Sequence, residues 1–172
     1  LKHKNVEFIV ADAEKVISDN EFDLITSNAC FQWLSDLEKS LQSYAKSLSP
    51  GGVVCFSIFG PDTFLELNSL LKSVLKDSQA ISAYFYKSAR LKAVLQANFK
   101  SVKINEVGYK ESFTSLKGLL EKIKYSGIRG NGLGGKVYFS RGLLERLEAA
   151  YRNKFQEICV TYQVFFCRGE KR

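Results

Sequence analysis

Apolar residues in this chain fall into short runs and into longer stretches with helical spacing. Runs rich in Val, Phe and Ile at Val6–Ala11, Phe22–Thr26 and Val53–Phe59 predict three buried strands. From Leu34 to Leu48, apolar residues recur near the helical period, which predicts an amphipathic helix between the second and third strands. Pro50-Gly51-Gly52 is expected to end this helix and to turn the chain.

The second half continues to alternate between helices and strands. Asp62 or Thr63 is expected to cap a helix whose apolar side begins at Leu65. The remaining predicted elements are a helix capped by Ser88, a strand from Val102 to Tyr109 that extends toward Phe113, a helix over Ser115–Ser126, a helix capped by Ser140, and a strand over Ile158–Cys167. This alternation predicts an α/β fold with a mostly parallel sheet.

Composition limits the classes of protein that the chain can represent. Its 172 residues, 45% hydrophobic and 25% charged, are enough for one globular domain. No apolar stretch approaches the roughly 20 residues that a membrane helix needs, and no secretory leader is visible, so we expect a cytoplasmic protein without a membrane partner. The chain lacks methionine and opens on Leu1, so we expect a cleaved product or a partial chain.

The cysteines and the net charge bear on possible metal sites and on possible partners. The four cysteines are widely spaced and the only histidine is His3, so we expect reduced thiols and no metal site. The net charge of +7 suits nucleic acid, an anionic membrane or an acidic protein. Because the basic residues are scattered and form no clear stripe, we expect no nucleic-acid partner.

Polar residues follow two of the predicted strands. Asp12, Ala13 and Glu14 come after the first strand, and Ser27 and Asn28 come after the second. In an open parallel sheet, ligands bind at the carboxyl ends of the strands, so these residues are expected to face one crevice. Carboxylates and backbone amides there suit the hydroxyl, amino and ring nitrogen groups of a nucleoside.

Three segments give the chain a resemblance to a known class of proteins. These are VEFIVADAE, FDLITSNACFQWL and LSPGGVVCFSIFGPDTFLEL, which resemble class I S-adenosylmethionine-dependent methyltransferases. The stretches NACFQW and GPDTFLEL and the tail VTYQVFFCRG resemble the malonyl-acyl-carrier-protein O-methyltransferase family of biotin synthesis. The resemblance covers nearly the whole chain.

The resemblance implies a Rossmann-like sheet with the strand order 3-2-1-4-5-7-6 and an antiparallel last strand. The five predicted strands correspond to strands 3 to 7, so strands 1 and 2 of the family are absent. Residues 1–172 are then the C-terminal two-thirds of a single methyltransferase domain, and residues 111–142 are a substrate-side helix and glycine-rich loop. We expect the native protein to supply the missing strands, because their absence leaves sheet edges unpaired.

The resemblance also implies a cofactor site for S-adenosylmethionine. The Asp12 carboxylate would accept a hydrogen bond from the adenine amino group, and the Ala13 N–H would donate to a ring nitrogen. Asn28 and Ala29 would lie beside the reactive sulfonium, with Phe31 and Trp33 as an apolar or cation-π wall. Two other interpretations stay open, that the aspartate at position 12 only stabilises a turn and that the tryptophan packs in the core.

On the acceptor side, the resemblance implies methyl transfer to the free carboxylate of a malonyl thioester on acyl carrier protein. Arg129 is predicted to clamp that carboxylate, and Gln32 and Trp33 are further substrate-binding candidates. No catalytic general base is expected, because a free carboxylate is already ionised at neutral pH. Weaker clamp candidates are Lys122, Lys124 and Arg141, and a solvated basic loop remains an alternative.

Charge complementarity with acidic acyl carrier protein would explain the basic balance. Candidate docking residues are Lys72, Lys76, Lys87, Arg90, Lys92, Lys117 and Lys124, although each is equally compatible with a solvated helix surface. Three other functions stay open: a methyltransferase with another small-molecule acceptor, a non-catalytic methyltransferase-like assembly factor, and an RNA-binding methyltransferase.

Overall fold

The computed structural model describes residues 5–15, 22–74, 81–126 and 140–172. Within these ranges, strands and helices alternate as the sequence predicts. In chain order the elements are β1 (Phe22–Asn28), a 3-10 helix (Phe31–Trp33), α1 (Leu37–Ser47), β2 (Leu48–Phe59), α2 (Leu65–Val74), α3 (Ser88–Asn98), β3 (Phe99–Phe113), α4 (Leu116–Ser126), α5 (Arg141–Phe155) and β4 (Ile158–Lys171).

The four strands form one sheet in the order β1-β2-β4-β3. β1 runs parallel to β2, whereas β4 is antiparallel to both of its neighbours, β2 and β3. Three strands therefore point one way and the last strand points the other way. This order is the 4-5-7-6 half of the predicted sheet, so the predicted fold class is confirmed.

The predicted first strand, Val6–Ala11, is wrong as a paired strand. No regular structure is assigned over these residues, and the side chains of Phe8 and Val10 are 80% and 104% exposed. Among the described residues, no strand lies beside this segment to supply ladder hydrogen bonds or to cover its apolar side chains. An apolar run alone cannot reveal whether its partner is present.

Two predicted boundaries also differ from the structure. α1 ends at Ser47, and β2 begins at once with Leu48, so the strand includes Pro50 and both following glycines. Gly51 adopts a φ of +78°, which a side chain would strain. Ser88 is the first helical residue of α3 and does not cap it, because the N-cap is Lys87 and no side chain bonds there.

Two apolar cores lie on opposite faces of the sheet, because successive strand residues alternate in direction. Val164 belongs to the core beneath α2, α4 and α5, whereas Phe165 belongs to the core beneath α1 and α3. Helical leucines fill both cores, and burying each one fully contributes roughly 1.5–3 kcal/mol. The fully buried examples are Leu67, Leu116, Leu119 and Leu147 on the first face, and Leu37, Leu41, Leu91 and Leu95 on the second.

One edge of β4 extends beyond its pairing with β2, which stops at the pair Phe59–Val164. The turn before α2 satisfies the backbone there. The Phe64 N–H donates to the Thr161 carbonyl at 2.7 Å, and the Gly60 N–H donates to the Gln163 carbonyl at 2.9 Å. The predicted cap Thr63 serves this edge as well, because its hydroxyl donates to that same Gln163 carbonyl at 3.1 Å.

The cap of α5 is confirmed, since the Ser140 hydroxyl accepts a hydrogen bond from the Leu143 N–H at 3.3 Å. The predicted glycine loop, 127–135, lies outside the described residues. Across the parts of the chain that are described, no helix is both long and apolar enough to cross a bilayer.

Candidate functional site at the carboxyl end of β1

The predicted cofactor residues Asn28 and Ala29 lie where β1 ends and the chain turns toward the 3-10 helix. Ala29 has a φ of +48°, a left-handed conformation that is uncommon for a residue with a side chain. Such a conformation persists only where surrounding contacts hold it. The neighbouring strand β2 and the 3-10 helix supply those contacts.

Ser57 on β2 provides the first set of contacts. Its hydroxyl donates to Asn28 Oδ1 at 2.6 Å and accepts from the Ala29 N–H at 2.9 Å. The same N–H also lies 3.1 Å from the Ser57 carbonyl oxygen. The Ala29 N–H is therefore occupied within the protein, so it is a structural donor at this turn and not a donor to a ligand.

Gln32, in the 3-10 helix, provides the second set of contacts that hold Ala29. Its Nε2 donates to the Ala29 carbonyl at 2.5 Å, so both polar groups of the Ala29 backbone are used. Its Oε1 atom is buried and has no hydrogen-bond partner within the described ranges. Buried acceptors in folded proteins are nearly always paired. Because this oxygen is buried, it does not face either cavity beside the rim in the described residues.

Asp12 lies in an exposed turn. Its carboxylate accepts from the Glu14 N–H at 3.1 Å and forms an ion pair with Lys15 at 3.0 Å. The hydrogen bond from Lys15, followed by that from the Glu14 backbone, lowers the pKa of Asp12. The carboxylate is therefore charged at neutral pH. It stabilises the turn while part of its surface remains open to a ligand.

Glu14 ties this turn to the chain that follows β1. Its carboxylate accepts from the Ser35 hydroxyl at 2.9 Å and from the Asp36 N–H at 3.0 Å, and these two donors lower its pKa, the backbone one most. The Tyr44 hydroxyl on α1 donates to the Ala13 carbonyl at 3.0 Å. Residues 13 and 14 thus contact the chain that follows β1, at the start of α1 and along it.

The structure nevertheless divides the predicted residues between two cavities. Asn28 lines one of about 370 Å³ together with Ser57, Lys103 and Arg168. Ala13 lines a second one of about 400 Å³, which is mainly apolar. The remaining residues of the second cavity are Ile9, Ala11, Phe22, Leu24, Ile25, Tyr44 and Ser47. The first contains the two basic side chains Lys103 and Arg168, whereas the second has none, so each is suited to a different part of a ligand.

The two aromatic candidates differ in position. Phe31 is only 6% exposed and packs between Tyr44 and Phe56, with ring centroids 5.6 and 4.8 Å away. It is a core residue, so its prediction as a wall of the ligand site is wrong. Trp33 is 47% exposed, so it is Phe31, and not the tryptophan, that packs in the core.

The acceptor-side candidates are less defined. Arg129 lies outside the described residues. Lys122 pairs with Glu111 at 3.5 Å, and Arg141 pairs with Glu145 at 3.0 Å. Lys124 lies over the ring of the exposed Tyr125. Within the described ranges, no group of three or more His, Cys, Asp or Glu side chains is placed to hold a metal ion.

Sequence reasoning missed Ser57 as a part of this rim. The available signal was a single hydroxyl within the otherwise apolar run VVCFSIF. A polar residue inside a buried strand needs a hydrogen-bond partner, and here that partner is the neighbouring strand end. The contact of Glu14 with Ser35 and Asp36 was also missed, because it depends on how the 3-10 helix turns.

Comparison with known proteins agrees with this architecture. Residues 1–56 match the family model described as a methyltransferase domain. Malonyl-[acyl-carrier protein] O-methyltransferase 2 of Ilyobacter polytropus is 37% identical over 152 residues, which cover 88% of this chain and 58% of that protein. Malonyl-[acyl-carrier protein] O-methyltransferase of Bacillus cereus is 32% identical over 171 residues, covering 95% of this chain and 63% of that protein. The chain thus spans about three fifths of these relatives.

A solved structure shows the same fold at low sequence identity. A crystal structure of a candidate methyltransferase from Bacillus halodurans superposes with a TM-score of 0.62 at 13% identity, covering 98% of this chain and 73% of that one. In its sheet order and in these matches, the chain is similar to the class of S-adenosylmethionine-dependent methyltransferases. Within that class, the sequence is similar to the malonyl-[acyl-carrier protein] O-methyltransferases, so the predicted resemblance is confirmed.

Proposed function

We propose that this protein transfers a methyl group from S-adenosylmethionine to the free carboxylate of a malonyl thioester carried by acyl carrier protein, a step in biotin precursor synthesis. The observation that carries the proposal is the 37% identity to a malonyl-[acyl-carrier protein] O-methyltransferase over 88% of this chain. The rim at the carboxyl end of β1 supports it, because ligands of open α/β sheets bind there.

The groups at this rim fit the proposed cofactor. An ionised Asp12 matches an amino group of adenine, because a carboxylate is only an acceptor. Ala13 lines the mainly apolar cavity, which suits a flat purine ring, whereas Asn28 lines the cavity that contains Lys103 and Arg168. Gln32 stays a proposed substrate-binding residue, because it lies in the 3-10 helix that follows this rim. When bound, S-adenosylmethionine supplies a methyl group on a positively charged sulfur.

The protein's contribution to such a reaction is alignment. The malonyl carboxylate is ionised at neutral pH, because free carboxyl groups have a pKa of about 4, and its oxygen therefore needs no general base. Holding that oxygen in line with the methyl group can contribute roughly 7–11 kcal/mol. Half-exposed Trp33 would cover one side of the reacting groups and limit the access of water.

The acceptor carboxylate needs a cation. Arg129 remains our proposal for this clamp, because a guanidinium binds a carboxylate through two parallel hydrogen bonds. It belongs to the segment 111–142, which we propose as the substrate side of a single methyltransferase domain. Arg129→Ala should damage acceptor use far more than cofactor binding, whereas an equal loss in both would count against the clamp.

Acyl carrier protein is the proposed macromolecular partner. Lys72, Lys87, Lys92 and Lys124 are exposed and basic, so they stay docking candidates, whereas Lys76 lies outside the described residues. Arg90 and Lys117 already pair with Glu38 and Glu121. Electrostatic docking mainly raises the association rate, so the apparent KM for the carrier should rise steeply with ionic strength.

A competition among methyl acceptors tests the proposal. The full-length gene product is given S-adenosylmethionine with malonyl-acyl carrier protein, malonyl-coenzyme A or free malonate, and mass spectrometry follows the methyl ester. We expect the carrier-bound acceptor to be methylated fastest. Faster transfer to free acids would indicate another small-molecule acceptor. Failure to bind S-adenosylmethionine in calorimetry would indicate a non-catalytic methyltransferase-like protein.

A further inference from the structure

Ser57 is a buried polar residue whose hydroxyl is fully used at the rim. It is 6% exposed and lies in β2 among apolar neighbours. Strand pairing places it directly beside Asn28, since the two Cα atoms are partners in the parallel ladder. A hydroxyl in this position has to find its hydrogen bonds in the adjacent strand end, and it does so twice.

The direction of these hydrogen bonds fixes the orientation of a neighbouring side chain. The Ala29 N–H can only donate, so Ser57 Oγ is the acceptor of that 2.9 Å bond. The Ser57 hydroxyl hydrogen is then free to donate along the 2.6 Å contact, and Asn28 Oδ1 accepts it. With its oxygen held by the serine, the Asn28 amide carries its two N–H donors on the opposite arm.

Those donors belong to a residue that lines the 370 Å³ cavity and is itself exposed. A free asparagine amide can turn by half a rotation and exchange oxygen for nitrogen at nearly equal energy, which would offer a ligand the wrong group about as often as the right one. The serine removes that ambiguity. It also holds Ala29 in its left-handed conformation, so the backbone that carries Asn28 is held in place.

We infer that Ser57 is a positioning residue, which acts through Asn28 by fixing the side-chain amide with Nδ2 as the group offered to the ligand. The inference rests on the proposed function, because the ligand concerned is S-adenosylmethionine. An amide N–H suits an oxygen acceptor, and S-adenosylmethionine offers such acceptors in its carboxylate and hydroxyl groups. Ser57 therefore sets which chemical group of the ligand is accepted beside β1.

A double-mutant cycle tests this coupling in the full-length gene product. S-Adenosylmethionine affinity is measured by calorimetry for the wild type, Ser57→Ala, Asn28→Ala and the double variant. One neutral hydrogen bond corresponds to a change of roughly three- to tenfold, so each single variant should lose about that much affinity. The double variant should be no weaker than Asn28→Ala alone. Additive losses would overturn the inference.

Two further variants separate positioning from stability. Ser57→Thr keeps the hydroxyl and should restore most of the affinity that Ser57→Ala loses. Ser49→Ala removes another hydroxyl of β2, which donates to Asp23 at 2.6 Å at the other end of the β1–β2 pair, and should leave the affinity unchanged. If the threonine variant is folded but as weak as the alanine variant, the hydroxyl is not responsible and the inference fails.

A spectroscopic measurement needs no ligand. The side-chain amide signals of Asn28 are assigned in ¹⁵N-edited spectra by their loss in Asn28→Asp. They should shift in Ser57→Ala and return toward the wild-type position in Ser57→Thr. If these signals stay unchanged in Ser57→Ala, the inference is overturned. If they shift but the wild type does not bind S-adenosylmethionine, the positioning role stands and the proposed function fails.

Discussion

Glu66 at the start of α2 replaces a missing strand partner for Thr161 of β4. Its carboxylate accepts from the Thr161 N–H at 2.8 Å and from the Thr161 hydroxyl at 2.6 Å. The glutamate is only 8% exposed, so these bonds lie in a water-poor site. An uncovered strand edge leaves backbone donors unpaired and attracts other chains. The helix therefore closes the edge that β2 leaves open.

Removal of this carboxylate should destabilise the fold. Glu66→Ala leaves two donors of Thr161 without a partner, so the free energy of unfolding should fall by about 2–3 kcal/mol. Glu121→Ala is the matched control, because that exposed carboxylate makes only a surface pair with Lys117 at 3.9 Å, which contributes about 0–1 kcal/mol. Urea unfolding monitored by circular dichroism measures both. Equal midpoints for the two variants would contradict the edge-closing role.

Stability should also fall at alkaline pH because of a buried thiol. Burial raises the pKa of Cys167 from 9.0 to about 12, and the residue is 3% exposed. The unfolded chain releases this proton near pH 9 while the folded protein keeps it. The contribution of this thiol to the free energy of unfolding is therefore fully present below about pH 9. It is lost as the pH rises toward about 12, by up to about 1.4 kcal/mol per pH unit. Burial raises the pKa of Tyr151 and of Tyr162 too, in the same direction.

Unfolding midpoints between about pH 8 and about pH 10.5 measure this slope. Cys167→Ala should be less stable at neutral pH but should show a shallower decline with pH. The control is Cys30→Ala, since that cysteine is exposed and should leave the slope unchanged. A slope that is identical in all three proteins would mean that other groups cause the alkaline loss.

The adenine assignment is tested by Asp12→Ala. Loss of a hydrogen bond to a charged group should weaken S-adenosylmethionine binding by roughly ten- to a hundredfold. Asp23→Ala is a suitable control, because Asp23 lies at the opposite end of β1 and its carboxylate accepts from the Ser49 hydroxyl at 2.6 Å. Calorimetry gives both affinities. If the Asp12 variant binds as tightly as the wild type, the aspartate serves only the turn.

Local patterns in the sequence predicted most of the fold because they depend on nearby residues. The spacing of apolar residues located α4 to within one residue, and Ser140 correctly marked the start of α5. The strand order came from the resemblance. The strand predicted over Val6–Ala11 was wrong. A strand exists only beside a partner strand, and the sequence pattern does not show whether that partner is there.

The site was less predictable, because its geometry comes from contacts between distant positions. The place of Asn28 after an apolar run predicted that it lies at the end of a strand, but its hydrogen-bond partner Ser57 is 29 residues away and was not predicted. Phe31 and Trp33 are two positions apart and equally aromatic, yet one is buried and the other half exposed. That difference depends on the direction of a three-residue 3-10 helix, which no periodic pattern records.

Trp33 offers a direct optical test of where ligands bind. It is the only tryptophan in the chain, it is 47% exposed, and it follows Gln32 at the rim. Tryptophan emission responds to changes in polarity and to nearby charge. If S-adenosylmethionine binds beside the carboxyl end of β1, adding it should quench or shift the emission with the same dissociation constant that calorimetry gives.

The controls for this test use the same residue and the neighbouring candidates. Trp33→Phe should abolish the signal while cofactor affinity changes by less than about tenfold, because an exposed cation-π contact contributes roughly 0.5–1 kcal/mol and phenylalanine keeps an aromatic ring. Asp12→Ala should move the optical and calorimetric curves together. Cofactor binding seen by calorimetry with no change in Trp33 emission would place the ligand away from this rim, and the proposed role of Trp33 would have to be abandoned.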